Sequence, residues 1–143
     1  MSKDIKIRWG WLKFMYIYTI VGAGGFGLGI IFVPNIMESV FRYPSQDPIL
    51  FGIVGCIYVS FGILSLLGLR SPLKFVPILL VELCYKSIWF IGVLIPYLIG
   101  KGFPFYAIVF AVIFATYIIG NLIAIPFSNV FSREINQLIK IQQ

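Results

Sequence analysis

Histidine is absent from this chain of 143 residues, and cysteine occurs only twice. Without imidazole side chains there is no histidine-ligated haem or metal site, no Ser-His-Asp triad and no Cys-His nucleophile. Cys56 and Cys84 lie in separate apolar segments and form no Cys-x-x-Cys pair, which excludes the dithiol motif of a membrane thiol oxidoreductase. We therefore interpret both cysteines as small apolar side chains, and we expect no metal and no other cofactor.

Charged residues are also scarce. They make up 11% of the chain, whereas a soluble domain has about 25%. Hydrophobic residues reach 60% and the mean hydropathy is +1.00, so the composition predicts an integral membrane protein. The net charge of +6 does not indicate a nucleic-acid partner, because the basic residues flank apolar segments instead of clustering on one face.

Four apolar segments are long enough to cross a bilayer, which takes about 20 helical residues. They predict an all-α, integral membrane four-helix bundle with short loops, formed by a single domain over residues 1–143. The basic start of the chain resembles a secretory signal, but the apolar run after it is too long for one and lacks a cleavage site, so we interpret it as an uncleaved span. The predicted spans cover approximately 14–33, 48–69, 74–98 and 104–127.

Lysine and arginine predict the orientation of these spans. The N-terminal segment, the loop between the second and third spans and the C-terminal tail share one side of a four-span protein, and together they hold eight basic residues. The opposite side holds only Arg42 and Lys101. By the positive-inside rule both termini face the cytoplasm. We expect a multi-pass protein of the bacterial cytoplasmic membrane, with membrane lipids as its first partners.

Two further segments are amphipathic. The first half of 34–48, "PNIMESVFRYPSQDP", puts its apolar residues on one helical face, and it predicts an interfacial helix in the first external loop. The tail over 128–143 predicts an amphipathic C-terminal helix, which lies on the membrane or, alternatively, docks on a partner. Its apolar positions at helical spacing are Phe131, Ile135, Leu138 and Ile139.

The run "VGAGGFGLG" over 21–29 contains a literal G-x-G-x-x-G, but it lies inside a span with no strand before it, so it is not a dinucleotide-binding loop. Its small residues instead allow close helix packing. Gly25 and Gly29 are in G-x-x-x-G register, and Ala23 and Gly27 run parallel to them. We expect this surface to pack inside the bundle, with a homo-oligomer interface as the alternative.

"VELCYKSIWFIG" places Glu82 and Lys86 four residues apart near the middle of the third span. Each charge alone would cost roughly 2.5–3.5 kcal/mol at the bilayer centre. An acid four residues before a base lies on the same helical face in the favourable orientation for pairing. The two residues either form an internal salt bridge or exchange the proton and are both neutral. The sequence leaves these alternatives open.

Other polar side chains fall at a similar depth, which predicts a polar layer inside the bundle. This layer either only fixes the register of the helices or lines a site for a lipid, a quinone-like or other small molecule, or a proton. The residues that accompany Glu82 and Lys86 as candidates for ligand binding are Tyr85, Trp89, Asn121, Tyr117, Tyr58 and Ser60.

Most of the chain resembles small bacterial four-helix membrane proteins of the DoxX-like type. The resemblance rests on a first span that ends at a proline before an amphipathic stretch, "FVPNIMESVF", and on "GIVGCIYVSFGILSLLGLRSP", a second span that ends in an arginine-containing turn. It implies the four-helix fold with both termini inside and a role beside redox or envelope-stress partners. No catalytic residue carries over.

Three classes of function follow from the sequence. The favoured one is a non-catalytic membrane protein that binds a small molecule or supports a membrane-protein partner through the layer around Glu82 and Lys86. The alternative is an oligomeric transporter or channel component that uses this pair for proton or substrate coupling. A membrane enzyme is the second alternative, disfavoured by the missing histidine and dithiol, and we assign no catalytic residue.

Overall fold

The computed structural model describes residues 6–130, and every element of regular structure within this range is helical. Four of the described helices are long and apolar enough to cross a membrane. We name them span one to span four; in chain order they are Trp9–Phe32, Pro48–Arg70, Val76–Lys101 and Phe105–Ala124. The prediction of an all-α, four-span bundle is confirmed, and the chain is a multi-pass membrane protein.

The four spans form a closed ring. Span one packs most extensively against span two and also packs against span four, while span three contacts spans two and four. Because short loops join successive spans, neighbours run antiparallel. This arrangement places the middle of span three opposite the middle of span one, across the interior of the bundle.

Span one begins at Trp9 and not at residue 14, so the helix includes Lys13, the last residue of the basic N-terminal segment. The Trp11 indole donates a hydrogen bond to the Gly120 carbonyl across 3.0 Å and fixes this extension to span four. At the other end of the chain, span four stops at Ala124 and not at 127. The reason is Pro126, which disfavours helical backbone at the preceding residue, and Ile125 is extended (φ −73°, ψ 121°).

A short helix, Pro34–Phe41, lies in the first loop where the sequence predicts one, and we call it the loop helix. It ends at Arg42, whose backbone is left-handed (φ 55°). Glu38 then holds the following residues: its carbonyl accepts from the Tyr43 amide at 2.9 Å, and its carboxylate accepts from the Gln46 amide at 2.9 Å. The loop between spans one and two is therefore held in a defined conformation by these hydrogen bonds.

The predicted amphipathic C-terminal helix falls mostly outside the described residues. Only 128–130 of the predicted 128–143 is described, and these residues belong to a helical turn over 127–130. Residues 131–143, which carry the predicted apolar stripe, are not part of the structural description. The tail helix stays a prediction.

Glycines bring spans one and two into backbone contact. A Cβ atom on Gly62 would lie 2.9 Å from the Gly24 Cα atom, and a Cβ atom on Gly27 would lie 2.6 Å from the Gly55 carbonyl oxygen. Real Cβ atoms do not approach other atoms so closely, so the two helices cross at a separation that only glycine permits. Close approach through small residues is a common mode of helix packing in membranes.

This contact uses only part of the predicted small-residue surface. Ala23 and Gly27 are buried in the bundle, as expected, whereas Gly29 packs against the loop helix through Met37. Gly25 is exposed, and no atom of the described chain lies within 4 Å of the position its Cβ would take. The predicted packing of Gly25 inside the bundle is therefore wrong for the described part of the chain, because the row through Gly27 faces inward. A homo-oligomer contact at Gly25 stays a prediction.

Candidate functional site

Glu82 and Lys86 form an ion pair inside the bundle. The Lys86 Nζ atom lies 3.5 Å from Glu82 Oε1, and the two side chains are 1% and 0% exposed. Their i, i+4 spacing on the regular α-helical part of span three sets this contact. The predicted pairing is thus present in the structure, and neither side chain reaches the outer surface of the bundle.

Thr19 connects this pair to span one. Its hydroxyl donates a hydrogen bond of 3.0 Å to Glu82 Oε2, and Thr19 itself is completely buried. The sequence analysis missed this residue. A lone hydroxyl side chain in the middle of an apolar span was the available signal, since such a group requires a partner in the bundle interior.

Aromatic rings surround the Lys86 ammonium group. Its Nζ atom lies 3.8 Å from the centre of the Tyr117 ring, 4.6 Å from that of Tyr85 and 5.6 Å from that of Phe114. Cations are attracted to the faces of aromatic rings, and the attraction is stronger away from water, about 2 kcal/mol or more. Lys86 is therefore stabilised by π faces as well as by Glu82.

Tyr117 is held in place by a local irregularity of span one. Residues Ile20–Gly24 form a π-helical segment, a rare geometry that is frequent at functional sites. The Tyr117 hydroxyl donates to the Tyr18 carbonyl just before this segment, at 3.1 Å. It occupies the space that a side chain on Gly22 would need. A glycine-rich π segment thus accommodates one of the rings that cover Lys86.

Lys86 lies in the wall of a cavity of about 270 Å³, which we call the inner cavity. Its wall is mainly aromatic. A second cavity of about 470 Å³, the outer cavity, lies toward the loop between spans one and two. The two cavities are adjacent, since both are lined by Phe26, Tyr58, Phe110 and Phe114, and we call them together the aromatic cleft.

The outer cavity has a more polar rim than the inner one. Tyr43, Gln46 and Tyr106 line it, together with Trp89. Burial raises the pKa of the Tyr43 hydroxyl, so this group stays protonated and available as a donor. The cleft therefore runs from a polar rim at the loop to an apolar, aromatic interior that ends at Lys86.

Two hydrogen-bond donors of the inner cavity have no acceptor among the described residues. They are the Lys86 ammonium group and the Tyr85 hydroxyl. Lys86 Nζ is close enough to Glu82 for an ion pair, but the two groups do not form a hydrogen bond. The Tyr58 phenol lies near Tyr85 without meeting hydrogen-bond geometry. A buried donor without a partner costs about 1–3 kcal/mol. Lys86 and Tyr85 both line the inner cavity, and unpaired donors at a cavity wall indicate a ligand or water that accepts from them.

Asn121 lies on the other side of the pair. It is completely buried beside the Glu82 carboxylate, yet neither its amide nitrogen nor its oxygen finds a hydrogen-bond partner in the described part of the chain. The Ser65 hydroxyl is similarly buried and unpaired there. Neither residue lines a cavity, so the polar layer continues beyond the cleft.

The structure brings most of the predicted candidates together. Lys86, Tyr85, Tyr117 and Tyr58 line the inner cavity, and Trp89 lines the outer cavity. Glu82 pairs with Lys86 without lining either cavity, and Asn121 lies beside Glu82. Ser60 does not belong to the site. It is exposed on the outer surface of span two, and its hydroxyl donates to the Cys56 carbonyl of the same helix at 2.8 Å.

Several residues of the cleft were not predicted from the sequence. Phenylalanines in apolar spans give no signal of their own, because most of them face lipid or fill the core. The missed residues that contribute to the site are Thr19, Tyr18, Gly22, Phe26, Phe110 and Phe114.

No protein-family model, curated protein or solved structure matches the chain.

Proposed function

We propose that this protein is a non-catalytic binding protein of the bacterial cytoplasmic membrane that holds a neutral, largely apolar molecule in the aromatic cleft. A lipid or a quinone-like molecule has the required chemistry. The observation that carries the proposal is the orphaned pair of donors, Lys86 Nζ and Tyr85 Oη, in the wall of one cavity. A carbonyl, ester or ether oxygen of the ligand would accept from both.

The charge balance of the site favours a neutral ligand. Glu82 already compensates Lys86 at 3.5 Å. An anionic head group would leave an excess negative charge in an environment of low dielectric constant, and a cation would lie beside the ammonium group. A neutral oxygen acceptor satisfies the donors and adds no charge.

The wall of the cleft favours a flat or elongated apolar body. Phe114 already packs edge to face against both Tyr85 and Trp89, with ring centroids 5.9 Å and 5.0 Å apart. A planar group of the ligand can continue this packing, since aromatic rings prefer edge-to-face and offset contacts. Small-molecule sites usually have volumes of about 300–1,000 Å³. The outer cavity, at about 470 Å³, falls in this range, and the inner cavity, at about 270 Å³, lies just below it.

The proposed orientation places the outer cavity at the external interface. It follows from the distribution of basic residues, eight on the side of the termini and two on the side of the loop helix. A ligand would then reach Lys86 from the external half of the membrane, past Tyr43 and Gln46.

The test is to identify the small molecules that copurify with the protein. Ala23 lines the inner cavity, so Ala23→Phe fills it, while Val21→Phe adds the same ring to an exposed position of the same helix. After exchange into nanodiscs of one synthetic phospholipid, mass spectrometry should find a specific apolar compound with wild type and Val21→Phe, and little of it with Ala23→Phe.

Two checks keep this comparison decisive. Melting curves show whether Ala23→Phe folds. If it does not, Ile113→Trp becomes the cavity-filling variant and Val112→Trp its control, because Ile113 lines the cavity and Val112 is exposed. Equal retention of the same compounds by cavity-filling and control variants would contradict binding in the cleft.

A further inference from the structure

We propose that Lys86 binds its ligand covalently, as a protonated imine formed with an apolar aldehyde, and that Glu82 is the counter-ion of this imine. The inference deepens the proposed function and rests on it: the cleft is the same, and the ligand class becomes a long-chain or ring-bearing aldehyde. The two proposals fail in different experiments.

The first support is the position of the amine. Lys86 is 1% exposed and lines the inner cavity, and its Nζ atom has no hydrogen-bond partner among residues 6–130. Lysine becomes a useful nucleophile toward carbonyl groups when it is desolvated in an apolar pocket. Lys86 meets this condition, and an aldehyde in the inner cavity would reach its nitrogen by a small shift of the rings that cover it.

The second support comes from counting donors and acceptors. An ammonium group has three N–H donors, but near Lys86 the described chain offers only the Glu82 carboxylate, and that at 3.5 Å. A protonated imine has a single N–H. Glu82 Oε1 has no hydrogen-bond partner either, so one acceptor would meet one donor. The site thus matches the hydrogen-bonding capacity of an imine better than that of a free amine.

The counter-ion is fixed before the ligand arrives. Thr19 donates to Glu82 Oε2 at 3.0 Å, which leaves Oε1 turned to Lys86. The positive charge of a protonated imine also lies where the ammonium charge lies now, close to the Tyr117 ring at 3.8 Å. Conversion from amine to imine therefore keeps both the ion pair and the cation–π contact.

The apolar lining of the cavity favours such a bond. Imines are hydrolysed by water, and the wall of the inner cavity consists mainly of aromatic rings, among them Tyr18, Phe26, Tyr58, Phe110 and Phe114. The apolar body of an aldehyde would fill this half-open space against the rings and keep water away from the imine.

The reaction balances with groups present in the site. The Lys86 ammonium passes one proton to the Glu82 carboxylate, and the neutral amine adds to the aldehyde carbon to form a carbinolamine. The carbinolamine loses its hydroxyl group as water, using the proton returned by Glu82, and an N–C double bond forms. The products are one protonated imine, paired with the carboxylate, and one water molecule. No oxidant or reductant takes part.

The experiment uses the full chain in nanodiscs, dodecanal as the probe and cyanoborohydride, which reduces a protonated imine to a stable amine. Peptide mapping by mass spectrometry should find the alkyl group on Lys86 at least about tenfold more than on Lys101, a lysine at the end of the same span that serves as an internal control. Lys86→Arg, which keeps the charge, should abolish this product. Glu82→Gln should reduce its rate at least about tenfold.

The outcomes separate the two proposals. Equal labelling of Lys86 and Lys101 would overturn the imine. The imine would also be overturned if the wild-type protein bound dodecanal reversibly, lost this binding on Ala23→Phe, and gave no trapped product. In that case the proposed function would stand. If the cavity-filling variants retained the same copurified compounds as the wild type, both the proposed function and the imine would be overturned. A borohydride-trapped adduct on Lys86 of protein taken directly from its native membrane would support both.

Discussion

The hydroxyl of Thr19 in span one donates a 3.0 Å hydrogen bond to Glu82 of span three, across 63 residues of sequence. It connects two helices that face each other across the ring of four spans. Since the same carboxylate pairs with Lys86, the buried charges are part of the bundle interior and not a local feature of one helix. The energetic consequences of this arrangement can be measured.

The ion pair should behave as a unit. We expect Glu82→Gln or Lys86→Met alone to lower the free energy of unfolding by about 3 kcal/mol, because each leaves the other charge buried without compensation. The double variant should lose less than the sum of the two. A double-mutant cycle from denaturation in a mild detergent measures this coupling. Strictly additive losses would show that the two residues have different partners, with Thr19 and Asn121 the first to examine.

The glycine contacts make a paired prediction. Gly27→Ala should destabilise the bundle by about 1–3 kcal/mol, because its new methyl group would collide with the backbone of span two at Gly55. Gly25→Ala, two residues earlier, meets no described atom within 4 Å and should leave the melting temperature unchanged or raise it slightly. Comparable destabilisation by both changes would contradict the described helix crossing. A change in oligomer size with Gly25→Leu alone would identify a contact between copies of the chain.

Tyr85 should show opposite effects on stability and on binding. Tyr85→Phe removes a buried hydroxyl that lacks an acceptor in the described chain, so the ligand-free protein should gain about 1 kcal/mol of stability. The same change should weaken binding of the copurified ligand about tenfold, the worth of one hydrogen bond. Ser87→Ala is the control, because it removes a hydroxyl on the same span that donates to the Leu83 carbonyl and lines neither cavity; it should leave the affinity unchanged. If Tyr85→Phe destabilises the protein and leaves binding intact, the hydroxyl has a structural partner and not a ligand.

The topology can be tested independently of the site. Reporter fusions within residues 70–74 and after Gln143 should report the cytoplasm, and a fusion near Gln46 should report the external side, because basic residues are retained on the cytoplasmic side. A C-terminal fusion that reports the external side would reverse the proposed direction of ligand access.

The sequence predicted which residues lie at the same depth better than which way they point. Glu82 and Lys86 were found because their i, i+4 spacing fixes both depth and face. Ser60 was included on depth alone, yet on a helix with 3.6 residues per turn it lies about 140–160° from Gly55 and Gly62, which face span one. Orienting span two by these two glycines would have placed Ser60 on the outside.

Other features depend on tertiary structure and had no local signal. The π-helical segment at Ile20–Gly24 changes the register of span one, so spacing alone could not separate Gly25, which is exposed, from Gly27, which is buried. The cleft itself arises from rings on spans one, two, three and four together. Phe26 and Phe114 acquire their role only from that assembly.

The most direct test of the central claim is an experimental map of the protein purified from its native membrane, at a resolution that shows side chains in the inner cavity. The account predicts density for a bound molecule with a polar atom within about 3 Å of Tyr85 Oη or of Lys86 Nζ, or continuous with Lys86 if the imine has formed. A cavity closed by its own side chains, or filled only by hydrocarbon tails with no polar atom near Lys86 and Tyr85, would contradict it.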